Sequence, residues 1–195
     1  MRTSGTRPPG VSDWHDMLNR DDVLIVDTET TGVKGYDEVV QVACIDTTGA
    51  VCFDELVFPT IGIPQEASRI HGITEQMLQN SGAMTWPVHH ERFFSLIASA
   101  ATVFVYNLNF DERLLKQTCR KHRLGFKPFP GRCAMLDYAA YRKVPNQWNS
   151  GFKWHRLTDA ARYEGARTQG AIHKASTDCE IVLELMRAVA ARQTG

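Results

Sequence analysis

Two carboxylates close the first strongly apolar stretch of the chain. Residues 23–26 are Val-Leu-Ile-Val, a run that predicts a strand buried on both faces, and Asp27 and Glu29 follow it directly. Successive strand side chains point to opposite faces, so Asp27 and Glu29 share the face of Val23 and Ile25. Two like charges there are unfavourable without a cation between them, and carboxylate oxygens suit Mg²⁺ or Mn²⁺. Because Asp-x-Glu is common, an acidic surface loop is the alternative at this point.

Two further acids lie on predicted apolar helix faces. Asp111 follows the strand predicted over 102–106 and shares a helical stripe with Leu114 and Leu115. Taken alone, Asp111 is explained equally well as an acid favoured by the helix N-terminal dipole. Asp178 lies well inside the last predicted helix, on one face with Val182. An acid that faces a core from there needs a partner such as a cation.

His173 stands five residues before Asp178. On an ideal helix that spacing separates two side chains by roughly 140°, so they would not share a face. We therefore place His173 in the loop or first turn before the last helix, as a candidate catalytic residue. Taken alone, a histidine in such a position is more often a surface residue.

The other predicted elements form a frame for these groups. Strands over 38–46 and 51–58 follow the first with short connections, which predicts an antiparallel meander, and a fourth strand covers 102–106. Helices are predicted over 12–18, 64–70, 74–79, 86–101, 110–122, 134–142, 156–163 and 174–192. This order favours an α/β sheet with helices on its faces. The segment 144–155 is a predicted loop and a candidate lid or substrate edge.

Length and composition limit the classes of protein to which this chain can belong. The 195 residues suffice for one well-cored domain, which we assign to 12–195 after a flexible tail over 1–11. The 43% hydrophobic and 23% charged content excludes a chain that is disordered throughout. Zero net charge argues against a large nucleic-acid footprint, but it allows a local basic patch beside an acidic metal site.

The expected compartment is the cytoplasm. No apolar run approaches the length of a membrane span, so no membrane contact is expected, and residues 1–10 lack the apolar core of a secretory signal. The five cysteines include no Cys-x-x-Cys pair, which argues against a disulfide framework and against a zinc site. Reduced thiols in the cytosol are the simplest interpretation.

Three motifs, taken together, carry a family resemblance. They are Asp27-x-Glu29-Thr-Thr-Gly32, Asn107-x-x-Phe110-Asp111 and His173-x-Ala175-x-x-Asp178. The set resembles the exonuclease motifs of the DEDDh family, DnaQ-like 3′→5′ exonucleases with a ribonuclease H-like fold. The similarity runs from about residue 14 to 186, and 38–43 and 70–74 resemble the polymerase III epsilon type in particular. Many members have His where this chain has Tyr106, a position that is not a metal ligand.

The resemblance implies a fold, a cofactor and roles for named residues. The expected fold is a mixed five-stranded sheet, three antiparallel strands and then further strands, flanked by helices. Two Mg²⁺ or Mn²⁺ ions are implied, with Asp27 as the bridging ligand and His173 accepting the proton of the attacking water. The implied ligands are Asp27, Glu29, Asp111 and Asp178. The candidate substrate contacts are Thr30, Thr31, Val33, His71 and Asn107.

The expected substrate is the 3′ end of single-stranded or frayed DNA, released as nucleoside 5′-monophosphates. An RNA 3′-end exoribonuclease of the ribonuclease T or oligoribonuclease kind is the alternative, because metal-site motifs do not read the sugar. A catalytically silent nucleic-acid-binding module is a third hypothesis. A protein partner is left open.

Two basic clusters could follow the phosphates of a bound strand. The first lies in the segment 116–127 and can equally be a solvated helix end. The second combines Lys153, His155 and Arg156 with aromatic neighbours, which favours a substrate role slightly. Those neighbours are Trp148, Phe152 and Trp154.

Overall fold

A six-stranded mixed sheet forms the centre of the computed structural model, which describes residues 10–148, 150–167 and 174–193. Its strands are β1 (Val23–Thr30), β2 (Val39–Asp46), β3 (Val51–Phe58), β4 (Met84–Thr85), β5 (Thr102–Val105) and β6 (Gly131–Cys133). Across the sheet the order is β4-β3-β2-β1-β5-β6. Strands β1 to β3 pair antiparallel, while β1–β5, β5–β6 and β3–β4 pair parallel.

The predicted mixed α/β sheet is confirmed, but it has six strands within the described residues rather than five. The two edge strands that were not located from the sequence are short: β4 has two residues and β6 has three. Segments of two or three residues show no alternation of apolar and polar side chains, and the sequence pattern therefore could not reveal these strands.

Eight helices cover the two faces of the sheet in the described part of the chain. They are α1 (Trp14–Leu18), α2 (Gln65–His71), α3 (Glu75–Ser81), α4 (Trp86–Ser99), α5 (Leu108–Lys121), α6 (Ala134–Arg142), α7 (Leu157–Glu164) and α8 (Ala175–Gln193). One face packs on α1, α6, α7 and α8, and the other packs on α4 and α5. The predicted placement of helices on the sheet faces is confirmed.

Strand β1 is the centre of both hydrophobic cores. Val23 and Ile25 point into the core under α8, whereas Leu24 and Val26 point into the core under α4 and α5. Burying a Val, Leu or Ile side chain stabilises a fold by roughly 1.5–3 kcal/mol, so both faces hold this strand firmly. The carboxyl end of β1, where Asp27 and Glu29 lie, is therefore a rigid platform.

The beginning of the described chain is anchored to the domain. The Gly10 N–H donates to Asp137 Oδ1 at 2.9 Å, and the Val11 side chain is buried in the core. The sequence assigned these two residues to the tail, and both contact the domain. None of the described helices combines the length and the apolar character that crossing a bilayer requires.

Candidate active site

Three carboxylates meet where β1 faces the first turns of α8. One carboxylate oxygen from each of Asp27, Glu29 and Asp178 lies within 4.8 Å of the corresponding oxygens of the other two. Helix α8 is held against the sheet here, since the Cys179 thiol donates to the carbonyl of Ile25 at 3.6 Å. The cluster forms because Asp27 and Glu29 lie on the same face of β1, as predicted, and Asp178 lies opposite them on α8.

Asp111 reaches the same place from α5, on the other face of the sheet. The Thr28 hydroxyl, which points away from Asp27 and Glu29 along the strand, donates to Asp111 Oδ1 at 2.7 Å. A cavity of about 170 Å³ at the end of β1 is lined by all four acids, together with Tyr106 and other residues. The structure thus brings together the four carboxylates that the sequence singled out.

Asp27, Glu29 and Asp111 hold protons more tightly than ordinary carboxyl groups in the absence of a cation. Burial raises the pKa of Asp27 well above its ordinary value, and the nearby Asp111, Asp178 and Glu29 raise it further. Burial, followed by the charges of Asp178 and Asp111, raises the pKa of Glu29 to about 8. Burial also raises the pKa of Asp111 to about 7, against the lowering effect of the Thr28 hydrogen bond. A divalent cation would oppose these shifts, because a nearby positive charge favours the ionised form of each carboxyl.

We expect the metal-free protein to lose stability as the pH rises from 4.5 to 8. The Glu29 carboxyl has an ordinary pKa of 4.5 and a folded pKa of about 8, so across this window the folded chain keeps a proton that the unfolded chain has released. Stability falls with pH wherever the folded state binds more protons. Thermal unfolding in EDTA should therefore give a melting temperature that decreases steadily across this range.

Two controls identify the source of this pH dependence. The Glu29→Gln variant should show a shallower decrease, because it lacks one of the titrating groups. Adding Mn²⁺ at the upper end of the range should restore most of the lost stability, since a ligand bound only by the folded state stabilises it by mass action. A melting temperature that stays flat or rises in EDTA would contradict the proposed charge cluster.

Gln41 fixes the beginning of α8 and was given no role from the sequence. It lies opposite Glu29 in the β1–β2 register. Its side-chain oxygen accepts the Ala175 N–H at 3.2 Å, while its side-chain nitrogen donates to Asp54 Oδ1 at 2.7 Å. Ala175 is three residues before Asp178, so this contact sets where the helix presents its acid. The available signal was a polar residue in an otherwise apolar buried strand.

The loop after β1 is supported by its own side chains. Thr31 is only 1% exposed, and its hydroxyl donates to Asp37 Oδ1 at 2.9 Å and accepts the Glu38 N–H at 3.0 Å. A Cβ at Gly32 would come within 2.6 Å of Asp37 Oδ2, which explains the glycine there. Thr31 therefore shapes this loop, and it also lines a large cavity beside the acids.

The remaining candidate contacts differ in what they can reach. His71 is buried; its Nδ1 accepts the Ile73 N–H at 3.0 Å, so its Nε2 carries the proton and donates to the Thr30 carbonyl at 3.2 Å. Val33 is 69% exposed. Both residues, with Thr30, line a cavity of about 710 Å³ beside the acids. Asn107 precedes α5, is exposed and lines the acid cavity.

Two further positions concern the predicted catalytic motifs. His173 lies outside the described residues, so its role stays a prediction. Tyr106, at the position where the family often has His, donates its hydroxyl to the carbonyl of His155 at 2.8 Å. This bond ties the segment before α7 to the end of β5, beside Asn107. No pattern in the sequence indicated that contact.

Comparison with known proteins identifies the family. The sequence model of the family described as Exonuclease (RNase_T) matches residues 24–186, most of the chain. The chain belongs to this exonuclease family. It is an exonuclease of the DEDDh superfamily, which acts on nucleic acid, and the family resemblance carried by the three motifs is confirmed.

Similar curated proteins agree with this membership. An uncharacterized exonuclease, CP81 of Escherichia phage 186, is 40% identical over 176 residues, covering 87% of this chain and 89% of its own. The DNA polymerase III subunit epsilon of Treponema pallidum (strain Nichols) is 31% identical over 180 residues, covering 87% of this chain and 78% of its own.

Solved structures of exonucleases share the fold. Exonuclease X in complex with 5′ overhanging duplex DNA has a TM-score of 0.62 at 24% identity, covering 89% of this chain and 93% of its own. The nuclease domain of 3′hExo, a DEDDh family member bound to rAMP, has a TM-score of 0.68 at 18% identity, covering 90% and 93%. The ribonuclease H-like fold expected from the motifs is confirmed.

Proposed function

We propose that this exonuclease is a metal-dependent enzyme that hydrolyses phosphodiester bonds from the 3′ ends of single-stranded or frayed DNA and releases nucleoside 5′-monophosphates. The observation that carries the proposal is the convergence of Asp27, Glu29, Asp111 and Asp178 on one cavity at the end of β1. Four carboxylates in a partly buried site have no structural purpose that a neutral core would not serve better.

The donor set fits divalent metal ions. All four side chains offer hard carboxylate oxygens; burial raises the pKa of Asp27, Glu29 and Asp111, and a cation at the cluster would favour their charged forms. These four residues would hold two ions of Mg²⁺ or Mn²⁺, as the family resemblance implies. The chemistry supplied by bound ions is Lewis-acid activation of water and neutralisation of the charge on the scissile phosphate.

The protein's own groups supply orientation and proton transfer. Thr28 fixes one oxygen of Asp111, and Gln41 fixes the helix that carries Asp178. His173 accepts the proton of the attacking water in this proposal, a role suited to an imidazole with an ordinary pKa of ~6.5. The 710 Å³ cavity beside the acids is within the range of small-ligand sites and takes the 3′-terminal nucleotide.

The preference for DNA rests on similarity to the polymerase III epsilon subunit, at 31% identity. RNA is the second candidate, because a fold neighbour holds rAMP in its nuclease domain. The four acids are common to both alternatives and do not distinguish the sugar. A silent binding module is disfavoured by the presence of all four acids and of His173 in the sequence.

A degradation time course tests the proposal. Single-stranded DNA and RNA of identical sequence, labelled at the 5′ or at the 3′ end, are incubated with Mg²⁺, Mn²⁺ or EDTA. The proposal expects 5′-labelled DNA to shorten one nucleotide at a time and 3′-labelled DNA to release labelled mononucleotide at once, only with metal. Shortening from the 5′ end would overturn the polarity, and degradation of RNA alone would move the substrate to RNA. No cleavage of either would favour the silent module.

A further inference from the structure

A short hairpin between α6 and α7 stands beside the acid cavity. The Asn146 N–H donates to the Gly151 carbonyl at 3.0 Å, and the Lys153 N–H donates to the Val144 carbonyl at 2.8 Å. Pro145 and Phe152 form an antiparallel bridge between these two bonds. Residue 149, near the tip, lies outside the described residues. We call residues 143–156, the segment between α6 and α7, the aromatic hairpin.

The aromatic hairpin carries three exposed aromatic side chains. Trp148 is 91% exposed, Trp154 is 62% exposed and Phe152 is 41% exposed. The Trp148 N–H is held by the Asn146 side chain at 2.9 Å, so the backbone at the tip is shaped although its ring is open to solvent. Large aromatic rings left in solvent on an ordered hairpin indicate a contact surface, since burying them within the fold would be favourable.

The charged side chains within the hairpin and next to it in the sequence are all basic. Residues 142–156 contain Arg142, Lys143, Lys153 and Arg156 and no acidic residue, in a chain whose net charge is zero. Arg142 pairs with Glu164 at 3.5 Å, whereas Lys143, Lys153 and Arg156 are exposed and form no salt bridge within the described ranges. This surface complements a polyanion.

The first basic cluster, in the segment 116–127, differs from the hairpin in how its lysines are paired. Its lysines are neutralised within the protein: Lys121 pairs with Glu38 at 2.9 Å, Lys127 with Glu91 at 2.6 Å and Lys116 with Glu112 at 2.6 Å. These pairs match the alternative of a solvated helix end. Arg120 and Arg123 of that cluster are exposed and form no salt bridge among the described residues, but neither lines the acid cavity or a cavity that shares residues with it, whereas Arg156 does.

The hairpin is continuous with the acid cavity. A second cavity, of about 500 Å³, is lined by Trp154 and Arg156 together with Asn107 and Asp178, and the last two also line the acid cavity. The 710 Å³ cavity instead meets the acid cavity at Thr28 and Glu29. The acids therefore lie between two cavities. If the terminal nucleotide occupies the larger one, the strand continues through the other, towards the hairpin.

We propose that the aromatic hairpin binds the single-stranded segment on the 5′ side of the scissile phosphate, with bases stacked on Trp148 and Trp154 and phosphates beside Lys153 and Arg156. This rests on the proposed function for the direction of the strand. Stacking on aromatic rings tolerates any base, and a basic groove follows the backbone without reading sequence. Both suit an enzyme that must advance along a strand of any sequence.

Tryptophan fluorescence tests the binding directly. Trp14 and Trp86 are fully buried, so the two exposed tryptophans of the hairpin are the ones that a ligand can reach. Titrating the protein in EDTA with a single-stranded 12-nucleotide DNA should quench the fluorescence, and the Trp148→Ala/Trp154→Ala variant should bind the labelled DNA about 10- to 100-fold more weakly by anisotropy. The Trp148→Phe/Trp154→Phe variant keeps two stacking surfaces and should recover most of the affinity.

Variants that each remove one basic side chain test the electrostatic contribution to DNA binding. Lys153→Ala and Arg156→Ala should each reduce the slope of log affinity against log salt by about 0.7. Lys127→Ala, whose lysine is already paired with Glu91, should leave the slope unchanged.

The outcomes separate this proposal from the enzymatic one. Unchanged DNA affinity in the double alanine variant, with active wild-type enzyme, would overturn the hairpin proposal and favour a protein contact for this surface. Fluorescence quenching by DNA, with no degradation in the time course, would overturn the exonuclease proposal and leave the hairpin as a nucleic-acid contact. Because binding is measured without metal, neither result depends on the other.

Discussion

Replacing Asp178 by Asn should lower kcat by at least roughly 10³-fold at saturating Mg²⁺ or Mn²⁺. The amide has nearly the same shape as the carboxylate, so the packing of α8 on β1 is preserved while one ligand charge is lost. Charge stabilisation by a bound metal ion contributes several kcal/mol to such a reaction, and each 1.36 kcal/mol is tenfold in rate. Initial rates on a labelled oligonucleotide, with a metal titration for each variant, measure the effect.

The same variant should be more stable than the wild type in EDTA. The Asp178 charge raises the pKa of both Asp27 and Glu29, so removing it relieves repulsion that the metal-free fold must tolerate. Thermal unfolding should show an increase of several degrees in EDTA and a smaller response to Mn²⁺. Glu180→Gln, which changes an exposed acid on the same helix, is the matched control. Wild-type turnover in Asp178→Asn would remove Asp178 from the ligand set.

The sequence predicted those parts of the site that depend on local periodicity. The two-residue repeat of a strand places Asp27 and Glu29 beneath the helix that packs on Val23 and Ile25. The helical repeat places Asp178 above a stripe that begins at Val182, which is buried in the same core. Once both elements pack on a common core, their acids must meet. For this reason the meeting of Asp27, Glu29 and Asp178 was predictable from the sequence.

Contacts between distant elements were not predictable in this way. The Thr28 hydroxyl meets Asp111 across 83 positions of the chain, and Gln41 meets Ala175 across 134. Each of these hydrogen bonds depends on the distance between the sheet and a helix and on the angle at which the helix begins. Neither quantity produces a periodic pattern in the sequence. Tyr106 is a similar case, since its partner is a backbone carbonyl that carries no residue signature.

The substrate contacts implied by the family resemblance all line a cavity: Thr30, Thr31, Val33 and His71 line the larger one, and Asn107 lines the acid cavity. Val33 projects into solvent at the edge of the large cavity, as a substrate contact requires. The side chains of Thr31 and His71 also form hydrogen bonds that hold the loop after β1 in place. A motif records which residues accompany an activity, and it does not separate those that touch the ligand from those that hold the backbone. Roles for the five candidates stay predictions.

Replacing His173 by Ala should lower kcat by roughly 10²- to 10⁴-fold, the usual contribution of a general base. The base acts only when its imidazole is neutral, so wild-type kcat at saturating metal should rise with pH and then level off. The variant should lose that rising limb. KM and the Mn²⁺ concentration that gives half of the thermal stabilisation should stay near their wild-type values.

These three measurements distinguish a base from a residue that only positions Asp178. The chain is fixed two residues later, where Gln41 holds the Ala175 N–H. A positioning role would act through α8, and its loss would therefore weaken Mn²⁺ binding together with kcat while the pH profile kept its rising limb. Lys174→Ala, at the exposed next position, controls for disturbance of the segment. Unchanged kcat with an intact rising limb would exclude His173 from the chemistry and direct the search for the base to another residue.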